Sequence, residues 1–300
     1  MRVSLSAAVA EASDAGAPIV AMESTIFSHL GLPSPHNTEA LIRCLAAVTS
    51  AGATPALTAV LGGMARLGVD EADHATICGP ARKVAARDIG VAIGQAWPYG
   101  ATTVSASLML AANAGVNVFA TGGIGGVHRD ASSSGDISAD LDAIASHQVV
   151  TVSAGAKIFL DLARTLEYLE TASVPVLGWQ CDEFPAFHAP SSGLPVPHRV
   201  ETAAEVAAIA RAHWDLGGGG LLLAAPVPAA AGLPLEDLLA VSAEAEAAAL
   251  AAGFSGAAVT PAVLGGLAER TDGQAVAANL ALAEHNASVA ARVAVALGAT

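Results

Sequence analysis

The chain has 300 residues, of which 53% are hydrophobic and 13% charged, a balance that excludes intrinsic disorder and leaves ample length for a buried core. A formal net charge of −14 argues against a nucleic-acid ligand and means that any anionic ligand needs a locally cationic pocket. Cys44, Cys78 and Cys181 are scattered and odd in number, which suits reduced core thiols and not a disulfide framework or a zinc site.

The first ten residues end in Ala-Val-Ala, like a signal cleavage site. Ser4 and Ser6 break the apolar stretch, however, and Glu11 and Asp14 follow, so the segment reads as an amphipathic first helix and the location as cytoplasmic. No apolar run reaches the length of a membrane span. Short apolar runs at 19–22, 50–60, 114–121, 149–153, 173–178 and 221–225 alternate with helical patterns at 38–51, 102–114, 157–171, 202–215, 235–252 and 274–297. The short runs lack apolar–polar alternation, so they read as strands buried on both faces, in a parallel or mixed sheet covered by helices. Gly115 and Gly253 fall where C-terminal helix caps belong. The stretch 185–197 has four prolines but is too short and local to divide the chain, and no internal repeat of fixed period is present, so one α/β domain spans 1–300.

Several residues carry candidate chemistry. Glu23 directly follows the first buried run; a carboxylate there is costly unless paired or functional, and burial raises its pKa toward general-acid range. Gly100-Ala-Thr-Thr103 sets hydroxyls at a strand-to-helix junction, a usual oxyanion or phosphate position. Gly122-Gly-Ile-Gly-Gly-Val-His-Arg129 follows another strand. It is not a dinucleotide fingerprint, because His128 stands where the third glycine belongs and Ser132-Ser-Ser-Gly135 precedes any helix. It reads as a glycine-rich loop whose backbone N–H groups approach an anion, aided by His128 and Arg129; a tight structural turn is the alternative. Asp136 and Asp140 lie four apart at a helix start, where capping is the simpler reading and a hard divalent cation held by one carboxylate and waters is the functional one. The histidines show no metal spacing, and His29, His36 and His188 receive no role. Gly217–Gly220 reads as a backbone turn.

Only two lysines, Lys83 and Lys157, stand against eleven arginines. An ammonium can lose its proton and form a Schiff base, which a guanidinium cannot. Lys157 follows a strand and a small-residue turn and opens the 157–171 helical pattern, where the helix dipole disfavours a cation and so favours the neutral, nucleophilic amine.

The blocks Met22-Glu-Ser-Thr-Ile-Phe-Ser-His29, Leu32-Pro-Ser-Pro-His-Asn37, Arg82-Lys-Val-Ala-Ala-Arg-Asp88, 100–104, 119–129, 136–140, Ala154-Gly-Ala-Lys157, 165–170, Phe184-Pro-Ala-Phe187 and 279–286 together resemble the pseudouridine-5′-phosphate glycosidase family, also called indigoidine-synthase-A-like, over nearly the whole chain. The resemblance implies a homotrimer of three-layer α/β/α subunits around a mainly parallel or mixed sheet. It also implies a reversible C–C glycosidic reaction, assisted by Mn²⁺ or a similar cation such as Mg²⁺, between pseudouridine 5′-phosphate and uracil plus ribose 5-phosphate. By the same resemblance Lys157 is the nucleophile that forms an imine at C1 of the ring-opened sugar, Glu23 gives and takes the proton, and Asp136 holds the metal. Lys83, Val104, Ser138, Ala139 and Asp140 line the substrate; the phosphate lies near Thr103, Thr121, His128 and Arg129; and Asn279 or Asn286 contacts the base. One departure concerns the acceptor side. Where the family has Asn before Pro-hydrophobic-Pro and an acidic residue after it, this chain has Ala225 and Ala229. A synthase joining ribose 5-phosphate to an aromatic natural-product acceptor is therefore the alternative. A non-catalytic sugar-phosphate binding protein is a third reading, disfavoured because binding alone needs neither Glu23 nor Lys157.

Overall fold

The structure, a computed structural model, describes residues 3–254 and 259–299; Met1 and Arg2 of the N-terminal segment lie outside them. The strands in chain order are β1 (Ser4–Leu5), β2 (Ile19–Met22), β3 (Thr54–Leu61), β4 (Met64–Leu67), β5 (Arg82–Val84), β6 (Tyr99–Thr102), β7 (Val118–Ala120), β8 (Val150–Ser153), β9 (Val176–Trp179), β10 (His198–Val200) and β11 (Leu221–Ala224). The helices are α1 (Ala7–Asp14), α2 (His36–Ser50), α3 (His74–Ile77), α4 (Ile89–Gly94), α5 (Val104–Asn113), α6 (Ala131–Ser134), α7 (Ala139–Ser146), α8 (Leu162–Thr171), α9 (Ala203–Asp215), α10 (Leu235–Ala251), α11 (Val259–Arg270) and α12 (Gln274–Gly298).

Seven strands in the order β3-β2-β7-β8-β11-β9-β10 pair in parallel. The second half of β3 bends away to pair antiparallel with β4 and β6, and β5 and β1 join these in parallel. The apolar strands bury both faces, as their lack of alternation predicts. Val20, Met22, Val118, Ala120, Leu221 and Leu223 face a cluster built from α2, α9 and α12. The alternate residues Ala21, Phe119, Leu222 and Ala224 face α1, α5, α7 and α8. The architecture is thus a three-layer α/β/α sandwich. Among the described residues no helix is long and apolar enough to cross a membrane.

Local chemistry sets the boundaries. Thr202 and Asp161 accept N-terminal N–H groups of α9 and α8, and Gly115 and Gly253 take φ of 74° and 84° past the ends of α5 and α10. The 157–171 pattern is corrected: the helix opens at Leu162, after its Asp161 cap, because residues 154–157 are held alongside the glycine loop instead. Helix α11 escapes the sequence pattern, since Pro261 and Gly265-Gly266 depress helical propensity. Its proline falls in the first turn, where the missing N–H costs nothing.

Candidate active site

Two neighbouring parallel strands end together at the centre of the sheet. In β2 and β7, Met22 lies opposite Ala120, so the next residues, Glu23 and Thr121, leave the sheet side by side. The chain continues from β2 to β3 on one side while β7 lies on the other, and ligands of open α/β sheets bind in the crevice at such a reversal. Here the crevice is a cavity of about 690 Å³.

Glu23 lies on its wall but is only 8% exposed. Burial pushes its carboxyl up to about 7, against the pull of Lys157, the Thr121 hydroxyl and Lys83. The hydroxyl of Thr121 donates to Glu23 Oε1. A carboxyl poised near neutrality can give and recover a proton at physiological pH.

Both lysines line the same cavity. Lys157 stands in the loop beyond β8, five residues before α8, so the helix-dipole argument does not apply to it. The local backbone places it instead: its N–H donates to Ile124 O at 3.3 Å and its Nζ to Gly123 O at 3.1 Å. Lys83 projects from β5; burial lowers its pKa, the charge of Lys157 adds to that effect, and Asp140 and Glu23 oppose it. An acidic chain has thereby gathered its only two lysines in one pocket.

The glycine loop owes its composition to close approach. A Cβ on Gly125 would meet Ser138 Oγ at 2.2 Å, and one on Gly123 would meet the Phe187 ring at 2.6 Å. Asp140 ties this loop to α5, its two oxygens accepting from Gly125 N at 2.9 Å and Ser105 N at 3.0 Å. The capping reading of Asp140 takes an unforeseen form: the residue lies on the cavity wall, and its carboxylate accepts one N–H from α5, that of Ser105, and one from the glycine loop. The N-termini of α5, with Thr103 and Val104, and of α7, with Ser138 and Ala139, reach the cavity wall, where their dipoles favour an anion.

His128, Asp136 and Asn279 also line the cavity, with His128 Nε2 3.8 Å from Asp136 Oδ2. Three of the expected contacts do not. Arg129 donates to Ile158 O at 3.3 Å, Thr121 is turned to Glu23, and Asn286, fully buried, donates from Nδ2 to Thr121 O and Gly122 O at 2.9 and 3.2 Å. Ala225 is buried with its N–H on Ser153 O, off the wall, so the departure from the family pattern does not touch the cavity lining. Sequence reasoning missed Arg87 and Ser105 on the wall, and Ile26, Leu30, Phe187, Pro261 and Leu264, which give it an apolar sector. The quoted blocks around 82–88 and 184–187 contained Arg87 and Phe187 without signalling a role for either.

Among the described residues no group of three or more His, Cys, Asp or Glu side chains could cage a metal. Asp140 has both oxygens engaged by backbone N–H groups, which leaves Asp136. One partly exposed carboxylate fits a hydrated hard cation that shares its shell with water and substrate oxygens, and does not fit an all-protein site.

The sequence model of the family described as "Indigoidine synthase A like protein" matches residues 8–296. The chain is 48% identical over 292 residues to a pseudouridine-5′-phosphate glycosidase of Methylobacterium nodulans, covering 96% of this chain and 86% of that protein. It is 47% identical to the protein of the same name from Herpetosiphon aurantiacus, covering 94% and 93%. Among solved structures, the prealnumycin C-glycosynthase AlnA in complex with ribulose 5-phosphate superposes with a TM-score of 0.90 at 35% identity over 100% of this chain and 98% of that one. An indigoidine synthase A-like protein of Thermotoga maritima does so with a TM-score of 0.90 at 32% identity, covering 99% and 97%.

Proposed function

The chain belongs to the indigoidine synthase A like family, and from that premise we propose that it cleaves the C–C glycosidic bond of pseudouridine 5′-phosphate, reversibly, to uracil and ribose 5-phosphate. The observation that carries the reading is the meeting of Glu23, its carboxyl at about 7, with Lys157 on the wall of one cavity. A C–C glycosidic bond has no leaving oxygen to protonate, so the usual pair of carboxylates does not suffice. An amine at C1 and a proton for the departing carbon do.

In this mechanism the neutral Lys157 amine adds at C1 as the sugar C1–O bond breaks, and the proton that the nitrogen gives up goes to the ring oxygen, which becomes a hydroxyl. Glu23 protonates C5 of the base as the C1–C5 bond breaks, and the nitrogen lone pair becomes the C=N bond of an imine. Water then hydrolyses the imine, releasing ribose 5-phosphate and restoring the amine, and Glu23 recovers its proton. Lys83 and the N-termini of α5 and α7 supply the local positive potential that the phosphate needs against the acidic chain, and the His128 ring adds a polar group on the same wall. Asp136 is the residue that would hold Mn²⁺ or Mg²⁺, whose charge would draw electron density from the sugar oxygens. We extend the proposal to a homotrimer working in the cytoplasm, which sedimentation and cell fractionation test.

A second reading has its own support. The likeness to a C-glycosynthase and the apolar sector at Phe187, Pro261 and Leu264 suit synthesis on an aromatic acceptor larger than uracil. Incubation with pseudouridine 5′-phosphate and Mn²⁺, following uracil release, decides: efficient release supports the glycosidase, and ribose 5-phosphate binding without release of uracil favours the synthase.

A further inference from the structure

We propose that Thr121, itself held by Asn286, is the positioning residue for the Glu23 carboxyl, and that neither residue contacts the sugar phosphate. The inference rests on the reading of Glu23 as the proton carrier. The sheet ends just where Glu23 must be held. Thr121 N still donates to Val152 O at 3.0 Å, but its carbonyl has passed the last paired residue of β7 and needs a new donor. Asn286 reaches it from α12, with no exposed surface, and spans both Thr121 O and Gly122 O. The peptide after Ala120 is thus anchored from the sheet on one side and from the helix layer on the other. The Thr121 side chain, 5% exposed, is left with its hydroxyl on Glu23 Oε1.

Among the described residues this is the one hydrogen bond that the Glu23 side chain makes to another side chain. It has a chemical consequence. A donor fixed on Oε1 leaves Oε2 as the oxygen that carries and transfers the proton, so the hydroxyl selects the reactive oxygen as well as the rotamer. The charged groups facing Glu23 are Lys157 from the loop after β8, Asp140 from α7 and Lys83 from β5. None of them comes from α12 or β7; Thr121 and Asn286, a hydroxyl and an amide without charge, act through geometry.

The test compares wild type with Thr121→Val, which removes the hydroxyl at nearly constant volume, and Thr121→Ser, which keeps it. Two readouts are taken on the full chain. One is the ¹³C NMR titration of the Glu23 carboxyl, assigned by its loss in Glu23→Gln; the other is kcat and KM for pseudouridine 5′-phosphate. Thr121→Val should move the Glu23 titration upward by about one pH unit, because a hydrogen bond to the ionised form is lost. It should also lower kcat at least tenfold with KM within threefold, and carry the alkaline limb of kcat/KM upward with the titration. Thr121→Ser should restore all three. Asn286→Leu should act in the same direction, and the double variant should be no worse than Thr121→Val, since both changes break one linkage. A large rise in KM with an unmoved titration would make Thr121 a phosphate contact and overturn the proposal; so would variants indistinguishable from wild type. If wild type releases no uracil, the glycosidase reading fails, and the NMR titration still decides whether Thr121 holds Glu23.

Discussion

Removing the charge of Glu23 should stabilise this protein in a pH-dependent way. The Glu23 carboxyl goes from an ordinary 4.5 in the unfolded chain to about 7 when folded, burial being the largest cause. A raised carboxyl pKa means that the folded state holds the proton more tightly. Its contribution to stability is therefore fully present below pH 4.5 and is lost as the pH rises through 7. One pK unit corresponds to about 1.4 kcal/mol, so ionising Glu23 inside the fold costs about 3 kcal/mol by pH 8. Glu23→Gln does not titrate, and its amide oxygen can still accept from Thr121. The stability of the variant relative to wild type should rise by roughly 2.5 kcal/mol between pH 5 and pH 8. Urea denaturation of both proteins at unit pH intervals, at one protein concentration, measures this difference, and contributions common to the two proteins cancel. The same variant should lose two or more orders of magnitude in turnover, the usual worth of a positioned general acid. A stability difference that stays flat across the range would mean that Glu23 ionises as readily folded as unfolded, and the acid–base role built on its burial would go with it.

Lys157→Arg keeps the charge but cannot form an imine, so it should bind ribose 5-phosphate yet lose turnover. In wild type, borohydride should trap one sugar phosphate per subunit on Lys157; an adduct on Lys83 alone, seen by peptide mapping, contradicts the mechanism. Chelation should abolish turnover and Mn²⁺ restore it, with Asp136→Asn requiring at least tenfold more metal; full activity after exhaustive chelation refutes the metal role. His188 is fully enclosed, both ring nitrogens lack a hydrogen-bond partner among the described residues, and burial lowers its pKa to about 3. It resists protonation when folded, so below about pH 6.5 it should erode stability by up to about 1.4 kcal/mol per pH unit. Denaturation midpoints of His188→Leu should fall less steeply than wild type between pH 6.5 and pH 5, and parallel curves for the two proteins would exclude this source.

What could be read from the sequence divides by the range of the interaction involved. The parallel strands β2, β3, β7, β8, β9 and β11 were legible because burial on two faces leaves an unbroken apolar run, whereas β10, with His198 and Arg199 exposed, leaves none; most long helices were legible because their apolar positions repeat every three to four residues. Glu23 was legible as a carboxylate beside a buried strand, and Lys157 by its scarcity. Its setting was misjudged, because the apolar residues Ile158 to Leu160 mimic a helix start while the 154–157 backbone is in fact occupied by hydrogen bonds to the glycine loop. Arg129 and Asp140 show the same limit. Next to the glycine loop in sequence, Arg129 turns to Ile158 O, whereas Asp140 braces that loop against α5. Each outcome depends on which distant backbone N–H or C=O group was left without a partner, and no spacing rule within a segment encodes that. Asn286 is the extreme case. In the sequence it is a polar interruption in the Ala-rich helix α12, 165 residues from Thr121, and only the packing of α12 over the ends of β7 and β8 makes it a donor to the peptide that carries the Glu23 partner. Sheet-end peptides in such folds must find donors outside the sheet. The Glu23 carboxyl is therefore held through Thr121 and Asn286, two residues that the family motifs point to as phosphate and base contacts and that hydrogen-bond accounting gives different partners.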